Sequence, residues 1–119
     1  MTGHVYWIFE LEIKSGEYDN FEKLMNEMVT ATQADEPGAL NYEWSVSEDK
    51  QTCHILERFE SSDAALIHMG NFGSKFAARF MEVLAPKSMT VYGDPSEAVL
   101  KAVSRMGAVV MPSVGGFSR

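Results

Sequence analysis

The side chains of this sequence that titrate nearest neutrality are three histidines, His4, His54 and His68. They fall in three separate stretches of chain, and neither their spacing nor their neighbours supply the ligand set of a metal centre, so no metal is expected. His68 lies in the run Ala64-Ala65-Leu66-Ile67-His68-Met69 and is the natural candidate for proton transfer. Tyr42 and Trp44 each offer an aromatic surface with one hydrogen-bond donor. Asn41, His54 and Asn71 can orient a ligand. Met69, Phe72, Phe76, Phe80 and Met81 can line a deformable apolar pocket. Each also has a plainer role. Tyr42 and Trp44 suit a core or an interface, Phe76 and Phe80 recur at core-facing helical spacing, and His68 can serve as a capped or interfacial residue. Cys53 reads as packing and Arg58 as half of a structural ion pair. The sequence has no Gly-rich phosphate loop, dinucleotide fingerprint, Gly-x-Ser-x-Gly elbow or His-Glu-x-x-His.

Positioning these groups requires a regular framework, and the hydrophobic periods supply one. From His4 to Lys14 the chain alternates, with Val5, Trp7, Phe9, Leu11 and Ile13 on one side, which predicts a strand. From Glu17 to Asp35 the period changes, and Phe21, Leu24, Met25, Met28 and Thr32 form one helical stripe. Pro37-Gly38 ends that helix. Leu40, Tyr42, Trp44 and Val46 predict a second strand. Cys53, Ile55, Glu57 and Phe59 predict a third, joined to it as an antiparallel hairpin through Glu48-Asp49-Lys50. Ser61-Ser62-Asp63 starts a helix. Gly70-Asn71-Phe72-Gly73 is expected to interrupt it, and a further helix carries Phe76, Phe80 and Leu84 and closes at Pro86. Ser88 to Gly93 is a fourth strand. Ser96 caps a last helix with Val99, Val103 and Met106, ended by Gly107. Ala108 to Met111 fits a short extra strand, and Val114 to Phe117 a loop. The order β-α-β-β-α-β is the ferredoxin-like split arrangement, an α+β fold with an antiparallel sheet and helices on one face.

The chain has 119 residues, 45% of them hydrophobic. It is read as one domain over 1–119, with 96–119 a C-terminal extension. No apolar run approaches the about 20 residues that span a bilayer, and the N-terminal stretch does not read as a signal peptide. Ten Lys and Arg against 17 Asp and Glu leave a net charge of −7 without a basic cluster, so neither nucleic acid nor an anionic membrane is an expected partner. A single cysteine fits a reducing cytoplasm.

The first strand is apolar on its odd face, yet its even face still carries Tyr6 and Ile8, and the third strand sets Leu56 behind Ile55. A sheet whose outer face met only water would alternate more cleanly. Helices cover one face, so a second copy of the chain is expected on the other, making a homodimer.

Two stretches resemble the antibiotic biosynthesis monooxygenase family, within the dimeric α+β barrel superfamily. One is Glu36-Pro37-Gly38-Ala39-Leu40-Asn41-Tyr42-Glu43-Trp44. The other is Glu57-Arg58-Phe59-Glu60-Ser61-Ser62-Asp63-Ala64-Ala65-Leu66-Ile67-His68. Val91-Tyr92-Gly93-Asp94-Pro95-Ser96 and Gly115-Gly116-Phe117 continue the likeness. The resemblance implies a homodimer of ferredoxin-like sheets and cofactor-independent monooxygenation of a phenolic or quinol-type aromatic small molecule. Such a reaction needs a base, an apolar cavity and donors for developing negative charge. On that reading His68 is the base, with Trp44, Tyr42 and Asn71 in the catalytic set. Asn41, His54, Met69, Phe72, Phe76 and Phe80 contact substrate. The alternative is a non-catalytic binding or sensing homodimer. Haem breakdown, the family's other marked chemistry, is disfavoured: Phe9 fills the first-strand position where the resemblance calls for asparagine, and no tryptophan follows Trp44.

Overall fold

The computed structural model describes residues 3–119. Its elements are β1 (Val5–Ile13), α1 (Tyr18–Asp35), β2 (Ala39–Val46), β3 (Thr52–Phe59), α2 (Ser62–Lys75), α3 (Ala77–Val83), β4 (Leu84–Gly93), α4 (Glu97–Ser104) and β5 (Val109–Val110). One sheet runs in the order β2-β3-β1-β4-β5. Each neighbouring pair among β2, β3, β1 and β4 is antiparallel, giving the ferredoxin-like α+β fold, while β5 joins β4 in parallel and makes the sheet mixed.

The alternation of β1 becomes a strict division of faces. Val5, Trp7, Phe9, Leu11 and Ile13 are all buried beneath the helices. Opposite them α1 inserts Phe21, Leu24, Met28 and Thr32, the stripe its period predicts. Cys53, Ile55 and Phe59 of β3 and Met89 and Val91 of β4 complete the sheet side of the core. Burial pushes the Cys53 thiol up to about 12, so it is a packed, unreactive group.

Three local features depart from the periodic reading. The β2–β3 register slips between Ala39 and Asn41, which turns Leu40 outward to 40% exposure while Tyr42, Trp44 and Val46 stay inward. Helix α2 runs through Gly70 and Gly73 as far as Lys75, and the break falls at Phe76. Glycine weakens a helix by about 1 kcal/mol without ending it when neighbouring residues dock on the core, as Met69 and Phe72 do here. Finally, β4 begins at Leu84 and contains Pro86. Pro86 lies where the β1–β4 register shifts between Glu10 and Leu11. An irregularity of that kind is where a strand accommodates a residue without an N–H.

The sheet face away from the helices is open. Tyr6 stacks on Tyr92 with ring centroids 5.7 Å apart, and Ile8 pairs with Leu56 across β1 and β3, both more than a third exposed.

Candidate active site

Two carboxylates and an imidazole meet under α2. Glu57 occupies an inward position of β3, between Trp7 of β1 and Tyr42 of β2 in the cross-strand register. It is 4% exposed on an otherwise apolar face. Glu36 caps the C-terminal end of α1 and is 7% exposed. A carboxylate there faces the negative end of the helix dipole and needs a positive partner. His68 supplies it. On α2 it lies on the same inward face as Ala65, Met69 and Phe72. Its Nδ1 is 2.9 Å from Glu36 Oε1 and its Nε2 is 3.0 Å from Glu57 Oε1. Asn71, one turn on, donates through Nδ2 to Glu36 Oε2 at 3.2 Å. The chain Asn71–Glu36–His68–Glu57 thus crosses from helix to sheet.

Facing two carboxylates, both ring nitrogens of His68 are placed to donate, an arrangement that favours the imidazolium. Burial alone would lower its pKa. The hydrogen bond and charge of Glu57, followed by those of Glu36, outweigh burial and raise it above the ordinary histidine value. The Tyr42 and His68 ring centroids are 5.1 Å apart, edge to face. Burial, then the charges of Glu57 and Glu36, raises the phenol's pKa, so Tyr42 stays a neutral donor.

Beside this group lies a cavity of about 240 Å³. Its sheet wall is Trp7, Phe9, Ile55, Glu57 and Met89; its helix wall includes His68, Met69, Phe72 and Phe80. Tyr42 and Met106 close the remaining sides. The walls are apolar except at Tyr42, Glu57 and His68, so whatever enters meets one charged corner in apolar surroundings. Among the described residues, Trp7 Nε1 is a buried donor with no acceptor.

The sequence candidates separate cleanly. Tyr42, His68, Met69, Phe72 and Phe80 line the cavity, and Asn71 reaches it through Glu36. Trp44 stands behind the wall, packed on Phe21, Tyr42 and Phe80. Phe76 packs on the core at the α2–α3 junction, away from the cavity lining. Met81 is half exposed and lies in a neighbouring groove. Asn41 and His54 belong to the open sheet face. Asn41 accepts from Arg58 Nε at 2.7 Å, so Arg58 bonds an amide there, and His54 pairs with Glu10 at 3.0 Å. Sequence reasoning missed Glu36, Glu57, Trp7 and Met106. The signal for Glu57 was its place among Cys53, Ile55 and Phe59, because an acid on a buried face needs a partner. Glu36 carried only its position before Pro37.

The profile of the antibiotic biosynthesis monooxygenase family matches residues 4–79. The chain belongs to that family. A search of curated proteins returns no match. Among solved structures, MupZ from Pseudomonas fluorescens superposes with a TM-score of 0.85 at 19% identity, covering 98% of this chain and 94% of MupZ. Rv0793 from Mycobacterium tuberculosis is 26% identical, with a TM-score of 0.66 over 80% of this chain and 98% of its own. SnoaB, a cofactor-independent oxygenase from Streptomyces nogalater, gives 0.65 at 14% identity over 76% and 92%. The MupZ likeness therefore extends into the C-terminal segment, α4 and β5, which lies beyond the residues the family profile matches.

Proposed function

We propose that the protein is a cofactor-independent monooxygenase acting on a phenolic or quinol-type aromatic molecule held in the cavity beside His68. The observation that carries this reading is the buried Glu36–His68–Glu57 bridge at a charged corner of an otherwise apolar wall. Glu57, rather than His68, is the better base, because His68 already holds both its protons. When Glu57 takes the hydroxyl proton, the single net negative charge of the trio moves to the substrate oxygen. The imidazolium stays beside it throughout, so no new charge is created in an apolar site. Tyr42 offers a further donor to the anion. The electron-rich anion then passes electrons to O₂. The substrate loses two hydrogens and gains one oxygen atom, and the second oxygen leaves with those hydrogens as water. Asn71 fixes Glu36, and Trp44 buttresses Tyr42.

The test is O₂ uptake with a panel of hydroquinones. We expect Glu57→Gln and His68→Gln each to lower the rate by about 10²- to 10⁴-fold, the usual worth of a positioned acid or base. Wild-type rates in both variants would refute the roles. Saturable aromatic binding without O₂ uptake would instead favour a binding or sensing module, for which the mostly hydrocarbon cavity is equally suited.

The single cysteine fits a reducing cytoplasm, and the open sheet face supports a homodimer. Tyr6, Ile8, Leu56 and Tyr92 form its apolar centre. Burying a few hundred Å² there favours association by several kcal/mol before entropic costs, at about 25 cal/mol per Å².

A further inference from the structure

The cavity is smaller than the roughly 300–1,000 Å³ typical of sites for drug-sized ligands. A second groove of about 310 Å³ adjoins it and shares three of its walls, Phe9, Met89 and Met106. Phe9 and Met89 are anchored in the sheet and are 7% and 4% exposed, whereas Met106 is 45% exposed. Met106 stands in the turn between α4 and β5, next to Gly107 at φ 74°. An unbranched thioether on a turn is the one movable part of that partition. Past it, the groove runs along Pro86, Lys87 and Ser88 of β4. Lys87 is the cation of that groove, and among the described residues it makes no ion pair; its charge helps to lower the pKa of Glu10, after Ser88 and His54. The two ends therefore differ in sign. The inner end holds two carboxylates and one imidazolium, which repels an anion, and the outer end attracts one.

We propose that Met106 gates a continuous channel, and that the ligand is elongated, with an aromatic head against His68 and Glu57 and an aliphatic tail ending in a carboxylate at Lys87. This rests on the cavity being the ligand site and adds the length and charge of the molecule that fills it. Neutral, compact phenols would use only the inner half.

Calorimetric titration with 4-hydroxyphenylalkanoates of increasing chain length, and with their methyl esters, tests the proposal. Binding of 4-ethylphenol to the wild type tests the cavity reading by itself. In the wild type, affinity should rise by up to about four-fold per added methylene that becomes buried. The long acids should bind about two- to five-fold more tightly than their esters, as expected of a solvent-exposed ion pair. Lys87→Gln should erase the acid-over-ester preference. Met106→Trp should erase the chain-length gain, and Met106→Ala should keep it, with thermal melts confirming that each variant is folded. If 4-ethylphenol binds but chain length brings no gain, or if Lys87→Gln keeps the acid preference, the channel is wrong and the cavity reading stands. Failure of every compound to bind overturns both.

Discussion

At the scale of single residues, the decisive fact is that His68 spends both ring nitrogens on buried carboxylates. Such an arrangement is expensive to break. His68→Ala would leave Glu36 and Glu57 buried without their positive partner, and we expect a loss of about 3–5 kcal/mol in denaturant unfolding. The pH dependence has a definite sign. The folded-state pKa of His68 is raised, so its contribution is fully present below the unfolded value near 6.5. It is lost as pH rises through the higher folded value. Urea unfolding at stepped pH should show wild-type stability falling across that window, and His68→Gln should lack that component of the slope. Little of this was legible beforehand. Titration near neutrality and a place in the Ala64–Met69 helical run singled out His68 as a proton-handling group, but a sequence does not reveal that two acids from separate elements converge on it. That convergence depends on the angle at which α1 ends and on the β3 register, both set by tertiary packing.

At the scale of elements, the site depends on how closely α2 approaches the start of β2. A Cβ placed on Gly38 would lie 2.6 Å from Ala64 Cβ, nearer than packed side chains allow. Gly38→Ala must push α2 outward, and His68 sits one turn further along that helix. We expect a cost of about 1–3 kcal/mol, the range for overpacking, together with weaker aromatic binding, read by thermal melts and titration. The strands and the first helix follow from their periods because each has one buried face. The sequence reading failed where two signals competed. Gly70 and Gly73 suggested a stop that core docking overrode, Pro86 suggested a boundary that a strand irregularity absorbed, and Leu40 kept an apolar identity after the register slip had turned it to solvent.

At the scale of the whole molecule, one sheet divides the work: its covered face builds the cavity, and its open face presents Tyr6, Ile8, Leu56 and Tyr92. Sedimentation should report a dimer for the wild type, and Leu56→Asp, which sets a charge in the apolar centre without touching the cavity, should shift it to monomer with its melting cooperativity intact. The C-terminal segment adds β5 to the β4 edge and carries exposed Val109, Met111 and Phe117. Truncation after Gly107 should weaken the dimer, seen as a lower molar mass by light scattering at low concentration. Catalysis at this site requires a negative charge to move from Glu57 to a bound ligand beside a fixed imidazolium. The absorption spectrum of a chromophoric phenol tests this most directly, measured bound and free at a pH below its solution pKa. We predict the phenolate spectrum in the wild-type complex and the neutral-phenol spectrum in the His68→Gln complex; a neutral phenol bound to the wild type, or identical spectra in the two, would contradict it.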